Sequence, residues 1–249
     1  MNSPAHFYSG LIVDVYEALA TVQARADSYA PFLQRSGTPA LELGCGSGRP
    51  LLELLELGHA VEGLDASLDM LERCRAEAAA RGLIPTLHHA EMQSFALARR
   101  YRSIFLAGAS FTLLTTDDDA RRALSCIHTH LEPGGSVLIP LEIPDIEQER
   151  SSLGRCREVT SAVQTLRCTA LALEVEADGR NLRKRLRYER TRRGQATEVV
   201  ERDWQTRWWS QDQFREMLTA AGFGRVSFRG VDGGRADPDA QAFVALAQR

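Results

Sequence analysis

The sequence predicts an α/β fold: a seven-stranded, mainly parallel sheet with helices on both faces, plus an inserted antiparallel β cap. Three observations carry this. Short apolar runs alternate with segments of helical period over roughly the first 145 residues, the order of a parallel sheet whose crossovers are helices. A glycine-rich turn, Gly44-Cys45-Gly46-Ser47-Gly48, falls where the first apolar run gives way to a helix. Beyond Pro144 the period changes to that of successive strands.

The elements follow in order. Pro39 to Gly44 reads as the first strand, and Pro50 to Leu57, with leucines at 51, 52, 54 and 55, as the helix after it. Ala60 to Asp65 is a second strand. Ser67 caps a helix that runs to Arg81, and Gly82 stops it. The third strand lies near Pro85 to Ala90 and the fourth at Ser103 to Gly108. Asp117 to Leu131 is a helix with acidic residues in its first turn and His130 in its last, charges that suit the helix dipole. The turn Pro133-Gly134-Gly135 leads into a fifth strand, Ser136 to Leu141. Cys168 to Ala177, Leu182 to Thr191 and Thr197 to Trp209 are three strands of the cap, and Asp178-Gly179 is a hairpin turn between the first two. Ser210 to Ala221 returns to helix, and Arg225 to Val231 and Gln241 to Ala247 are the last strands. Residues 1–249 are thus expected to form one domain, with residues 145–209 as an inserted, substrate-recognising cap.

Composition narrows the partner. Of 249 residues, 44% are hydrophobic and 25% charged, and 30 Lys plus Arg against 33 Asp plus Glu leave a net charge of −3. Such a chain has enough apolar surface for a core and is not natively disordered. The even mix of signs provides no basic field for a nucleic-acid backbone, so a small molecule is the expected partner. The five cysteines show no C-x-x-C pair and no histidine at zinc-ligand spacing, so reduced thiols and no metal are expected. Met1 to Gly10 has no secretion signal, and no apolar run reaches the roughly 18 residues of a membrane span, so a cytoplasmic protein is expected. A homodimer is left open. Lys184 is the only lysine, and arginine is concentrated between Arg180 and Arg193.

The glycine turn is the most specific signal. Glycines at alternate positions let the backbone approach a ligand closely. In the dinucleotide fingerprint G-x-G-x-x-G a third glycine would occupy position 49; here it comes one residue early and Arg49 stands there, which argues against NAD. About twenty residues on, Asp65 ends the second strand, where a carboxylate accepts hydrogen bonds from both hydroxyls of a ribose. Capping the helix that follows is the other reading of Asp65.

Over these residues the chain resembles the class I S-adenosylmethionine (SAM) dependent methyltransferases, whose sheet is Rossmann-like. Glu42 to Gly48 is similar to their first motif, Gly63-Leu64-Asp65 with Ser67 and Met70-Leu71 to the second, His89-Ala90-Glu91-Met92 to the third, and Pro133-Gly134-Gly135 to the turn before their fifth strand. Tyr8-Ser9-Gly10 with Tyr16, together with Leu87 to Met92, is similar to bacterial N,N-dimethyltransferases of deoxyaminosugars. The resemblance implies SAM as cofactor, bound by Tyr8, Tyr16, Glu42, Gly44, Cys45, Gly46, Asp65, Ala66, Met70, Glu91, Met92 and Ala107. In that reading the Gly44–Gly46 backbone lies under the methionyl part, Asp65 holds the ribose, Met70 and Met92 sandwich the adenine and Glu91 accepts from its amino group. Tyr8 and Tyr16 come from an N-terminal helix folded over the cofactor; simple helix packing is the alternative for both.

Methyl transfer requires an aligned nucleophile and a dry site, with a base only where the acceptor must lose a proton. The similar families carry Asn or Ser and then a His after the fourth strand. Here Ser110 is present, but Leu113 stands in the place of the His. His88, His89, His128 and His130 read as structural. The catalytic assignment therefore stays open among Ser110, His6, Glu142, Tyr188 and Arg207. In the cap, the hairpin register sets Val175 opposite Leu182, Leu173 opposite Lys184 and Leu171 opposite Leu186, with Glu174 opposite Arg183 on the other face. Tyr188, Trp204 and Trp208 then share the apolar face and, with Ser110, are the candidate substrate contacts, or else pack the cap onto the domain. Arg183, Arg185 and Arg187 fall on the outer, solvated face. The expected function is methyl transfer from SAM to an N or O atom of a small molecule of secondary metabolism. The alternative is a SAM-binding protein with other chemistry or a non-catalytic binding role.

Overall fold

The fold is that of a computed structural model, which describes residues 7–20 and 24–249. Helices α1 (Leu11–Leu19) and α2 (Ala26–Ser36) come first. The alternating part runs β1 (Ala40–Leu43), α3 (Leu51–Glu56), β2 (Val61–Asp65), α4 (Leu68–Ala80), β3 (Leu87–His89), β4 (Tyr101–Leu106), a 3-10 turn at Ser110–Leu113, α5 (Asp117–His130) and β5 (Leu131–Glu142). The cap comprises α6 (Ile146–Ser151), β6 (Cys156–Thr160), β7 (Gln164–Val175), β8 (Asn181–Arg192) and β9 (Glu198–Arg207). Helix α7 (Gln211–Ala220) and strands β10 (Gly224–Gly230) and β11 (Ala242–Gln248) close the chain.

The main sheet has seven strands in the order β10-β11-β5-β4-β1-β2-β3. β1 to β5 pair in parallel, while β11 runs antiparallel to β5 and β10 antiparallel to β11. The chain builds outward from β1 on one side and from β4 on the other. Above the ends of those two strands the crossovers diverge and leave a crevice, the usual ligand position in such sheets. All four residues of β1 are buried. Leu41 and Leu43 pack into the core shared with α5 and α7, and Ala40 into the one shared with α2 and α3. Gly63 lets α3 lie against the sheet, since a Cβ there would stand 2.7 Å from Leu51 Cδ2 and 2.8 Å from Cys45 Sγ.

The Ser67 cap forms as expected, its Oγ accepting from the Met70 amide, while Ser210, read as the first helical residue, is the N-cap of α7 and makes a capping box with Gln213. Three elements were not foreseen. Helix α2 buries Ala26, Tyr29, Ala30 and Leu33 at helical spacing but is interrupted in sequence by Pro31, which disguises it, while β6 is exposed along its whole length and α6 buries none of its residues, so neither of those two has an apolar period. β5 also begins five residues earlier than the sequence suggested. Its Pro133-Gly134-Gly135 segment is an irregularity within the strand, because pairing with β4 already starts at Leu131–Tyr101.

The cap is a four-stranded antiparallel sheet in the order β6-β7-β8-β9. Val175 pairs with Leu182, Glu174 with Arg183 and Leu173 with Lys184, as the turn register required. The expected pairing of Leu171 with Leu186 is corrected: a bulge leaves Leu171 unpaired and exposed, and Ala170 takes its place opposite Leu186. On the outer face Arg183 meets Glu174, Arg185 meets Asp203, and Arg187 meets Glu189 and Glu201. A buried clasp joins cap to core. Arg207, from the end of β9, donates to both oxygens of Asp117 in the first turn of α5 and through Nη1 to Asp178 at 2.6 Å, and the Trp209 indole and Arg180 reach the same Asp117. All five cysteines are free thiols. Among the described residues no helix is long and apolar enough to cross a membrane.

Candidate active site

Three adjoining cavities meet at α1, above the ends of β1 and β2. The glycine turn forms the floor of two of them. Gly44, Gly46 and Gly48 have φ of +69°, +52° and +99°, a region that other residues enter only with strain. The amides of Gly44 and Cys45 donate to the Leu64 carbonyl at 2.7 and 3.0 Å. Asp65 is pinned beside them: Oδ2 accepts from the Gly46 amide and Oδ1 from the Ser67 amide, each at 2.8 Å. The Ala66 amide adds a further bond to the same carboxylate, which keeps acceptor capacity for a ligand. Burial pushes the Asp65 carboxyl above the ordinary range despite these bonds.

The first cavity, about 90 Å³, is walled by Asp65, Ala66, Met70, Ala90 and Met92, with Tyr8 and Tyr16 over it and Ser110 and Leu113 at its side. The second, about 350 Å³, lies across Tyr16 and is bounded by Gly44, Cys45, Gly46, Tyr29, Ala107 and Ser110. Glu42 is fully buried on β1, and neither of its carboxylate oxygens has a hydrogen-bond partner among the described residues. Burial, reinforced by the neighbouring Asp65, holds its carboxyl well above the ordinary range.

Helix α1 is fastened over this crevice from several sides. Ser47 Oγ donates to Glu17 at 2.5 Å, Ser67 Oγ to the Tyr8 carbonyl at 2.5 Å, and the Gly10 amide to Asp69 at 2.6 Å. Asp14 pairs with Arg73 of α4 and, at 2.7 Å, with Arg190 of the cap. Tyr8 and Tyr16 meet edge to face, ring centres 5.3 Å apart. The Trp204 indole N–H donates to the Tyr8 hydroxyl.

The third cavity, about 620 Å³, lies between α1 and the inner face of the cap. Tyr8, Tyr188, Trp204 and Leu186 supply much of its wall. Tyr188 is buried against Phe7, ring centres 6.3 Å apart, and burial raises its pKa. Lys184 Nζ sits 4.7 Å from the centre of the Trp204 ring and 2.7 Å from Glu149 Oε2.

Among the cofactor candidates, Tyr8, Tyr16, Gly44, Cys45, Gly46, Asp65, Ala66, Met70, Met92 and Ala107 line the first two cavities, whereas Glu42, fully buried on β1, is in neither wall. Glu91 is not in either wall; its carboxylate accepts from Gln93 Nε2 at 2.9 Å. Ser110 lines both, while Tyr188 and Trp204 line the third. Trp208 is not among that cavity's walls: it follows the end of β9, and its amide donates to the Arg180 carbonyl. Glu142 is exposed at the end of β5, opposite Ala242, and Arg207 is held in the Asp117 clasp, so neither lines a cavity described here. His6 lies outside the described residues. Four other histidines are tied into the scaffold: His88 to Glu62, His130 to the Cys126 carbonyl and the Leu97 amide, His89 to the Ala66 carbonyl, and His128 against Phe223. Sequence reasoning missed Tyr29, Glu149, Arg155 and Arg157 as wall residues. Only Lys184 left a trace, as the lone lysine facing an apolar register.

Comparison with known proteins agrees with this geometry. Residues 40–135 match the family described as methyltransferase domain. The chain is 29% identical over 144 residues to dTDP-3-amino-3,6-dideoxy-alpha-D-glucopyranose N,N-dimethyltransferase of Streptomyces fradiae, covering 55% of each chain. It is 32% identical over 113 residues to dTDP-3-amino-3,4,6-trideoxy-alpha-D-glucopyranose N,N-dimethyltransferase of Streptomyces venezuelae, covering 43% of this chain and 45% of that one. The chain thus spans about half the length of the curated relatives it matches. In fold it is similar to the crystallised sugar N-methyltransferase of a Streptoalloteichus species, with a TM-score of 0.73 at 18% identity over 94% of this chain and 91% of that one. Residues 40–135 thus match the methyltransferase-domain family, and the chain as a whole has the Rossmann-like fold of that sugar N-methyltransferase.

Proposed function

We propose that the chain transfers a methyl group from SAM to the nitrogen of a small-molecule amine. The observation that carries this is Glu42: a fully buried carboxylate without a partner among the described residues, directly below a glycine turn of positive φ. Burial disfavours the ionised form of this carboxyl, and a cation bound beside it would restore that form; the α-ammonium of SAM is one of the right size at the methionyl end. When bound, SAM supplies a methyl group already activated as a sulfonium. Glu42 and the Gly44–Gly46 backbone hold the methionyl end, Asp65 accepts from the ribose hydroxyls through its remaining acceptor capacity, and Met70 and Met92 flank the adenine. Tyr8 and Tyr16 keep water from the crevice, which favours in-line attack by a desolvated nucleophile.

Leu113, in the wall of the first cavity, supports nitrogen as the acceptor atom. A hydroxyl needs a base at that place, whereas a neutral amine already carries its attacking lone pair. The relatives are named for amino-sugar substrates, which are amines as well. The same leucine favours a second reading, a cofactor-binding protein without turnover. Calorimetric titration with SAM and with NADH separates the cofactors: SAM binding without NADH binding is expected, and no SAM binding ends the proposal. Release of S-adenosylhomocysteine in the presence of an amine separates the enzyme from the binder.

A further inference from the structure

The charges of the third cavity point beyond the reaction type to the acceptor. Resting on the methyl-transfer reading above, we infer that the acceptor is an acidic molecule with a flat or apolar body, its phosphate or carboxylate group held by Arg155 and Arg157. The cavity has one carboxylate in its wall, Glu149, and three cations, Arg155, Arg157 and Lys184. Glu149 is committed to Lys184 at 2.7 Å. Arg155 has no ion-pair or hydrogen-bond partner among the described residues, and the guanidinium of Arg157 meets only the carbonyl of Leu19.

The contrast is with the arginines packed on the cap sheet. On the outer face Arg183, Arg185 and Arg187 each have a carboxylate partner, and so does Arg190 at the edge of α1, whereas the exposed Arg192 and Arg193 at the end of β8 pair with no carboxylate among the described residues but line no part of this cavity. Arg157 pairs with Cys168 across β6 and β7, which sets its side chain on the cavity face, and Arg155, just before β6 begins, lines the same cavity. Two guanidiniums without carboxylates thus border a cavity whose other walls are largely aromatic and aliphatic. Planar guanidinium groups are suited to bidentate recognition of carboxylate and phosphate. The aromatic walls formed by Tyr8, Tyr188 and Trp204 accept a flat ring.

A matched series tests this: benzylamine, 4-(aminomethyl)benzoate and 4-(aminomethyl)phenyl phosphate, titrated into the full chain with S-adenosylhomocysteine bound. At least one acidic probe is expected to bind ten-fold or more tightly than benzylamine, with an advantage that falls as salt rises. The tighter of the two identifies the acid. The Arg155→Ala/Arg157→Ala variant is expected to bind the acidic probes no better than benzylamine, with unchanged affinity for S-adenosylhomocysteine as the check on folding. Arg155→Gln, at a side chain with no protein partner, provides a milder version with a partial loss. Equal binding of all three probes, no binding of either acidic probe at millimolar concentration, or discrimination retained by the double variant overturns the inference. An acidic probe that binds but yields no S-adenosylhomocysteine from SAM counts against the methyl-transfer reading and leaves the acid site standing. Turnover of benzylamine equal to that of both acidic amines does the reverse.

Discussion

Arg207 and Asp117, 90 residues apart, meet in a two-point contact: Nε donates to Oδ1 at 2.8 Å and Nη2 to Oδ2 at 3.1 Å. The Arg207 side chain is only 6% exposed and lies where the last cap strand returns to the core. Arg207→Ala leaves Asp117 partly buried without its main partner, and the expected loss is about 3 kcal/mol, read as a lower denaturant midpoint. Bonds from Arg207 and then from Arg180 hold the Asp117 carboxyl well below the ordinary range. Its contribution is therefore complete above about pH 4, the unfolded value, and is lost as pH falls through the depressed folded value. The wild type should lose stability on acidification below pH 4 faster than Asp117→Asn.

Arg185 is the contrasting case. It forms an equally well-aligned pair with Asp203, but on the solvated outer face of the cap. Solvent screening makes such pairs nearly neutral, so Arg185→Ala should leave the melting temperature unchanged within error.

Glu42 should trade stability for binding. Its folded pKa is raised, so its favourable contribution is complete below about pH 4 and is lost as pH rises towards the raised value. Glu42→Gln cannot ionise; relative to wild type it should gain stability progressively as pH rises above about 4, as a series of thermal melts would show. The variant should also bind SAM less tightly. In the wild type, a cation beside a partly protonated Glu42 displaces its proton, so calorimetry in buffers of different ionisation enthalpy should detect proton release that Glu42→Gln lacks.

Asp65→Ala removes the acceptor for the Gly46 and Ser67 amides and, under the proposed function, the one for the ribose. Hydrogen bonds to a charged group are worth about 1.5 to 3 kcal/mol, so SAM affinity should fall roughly ten- to hundred-fold. Because the Asp65 carboxyl is raised by burial, wild-type affinity should begin to fall on acidification at a pH above that of an ordinary aspartate.

Gly63→Ala tests the packing beneath the site. The added methyl would stand under 3.0 Å from Leu51, Cys45 and Leu87 at once, and overpacking of this kind costs about 1 to 3 kcal/mol. A lower melting temperature with weaker SAM binding is expected, since Cys45 belongs to the glycine turn.

Much of this was legible because periodicity and caps are local signals. The order of β1 to β5, the Ser67 cap and the Asp178-Gly179 register can each be read within about ten residues. β6 could not be read, because a strand exposed on all five positions has no apolar face to mark it. The bulge at Leu171 depends on how β7 bends across its neighbour, which alternation does not encode. Arg207 looked like a candidate for chemistry because Asp117, lying 90 residues earlier, is invisible to motif reading. The unshared charges of Arg155 and Arg157 emerge only when the carboxylates around the cap have been matched to their partners.

Helix α1 is at once the roof of the glycine-floored crevice and a wall of the acceptor cavity. Displacing it opens the first and dismantles the second in the same motion. Under the proposed function the two ligands would then bind in order, SAM while the helix is lifted and the acceptor only once it has settled.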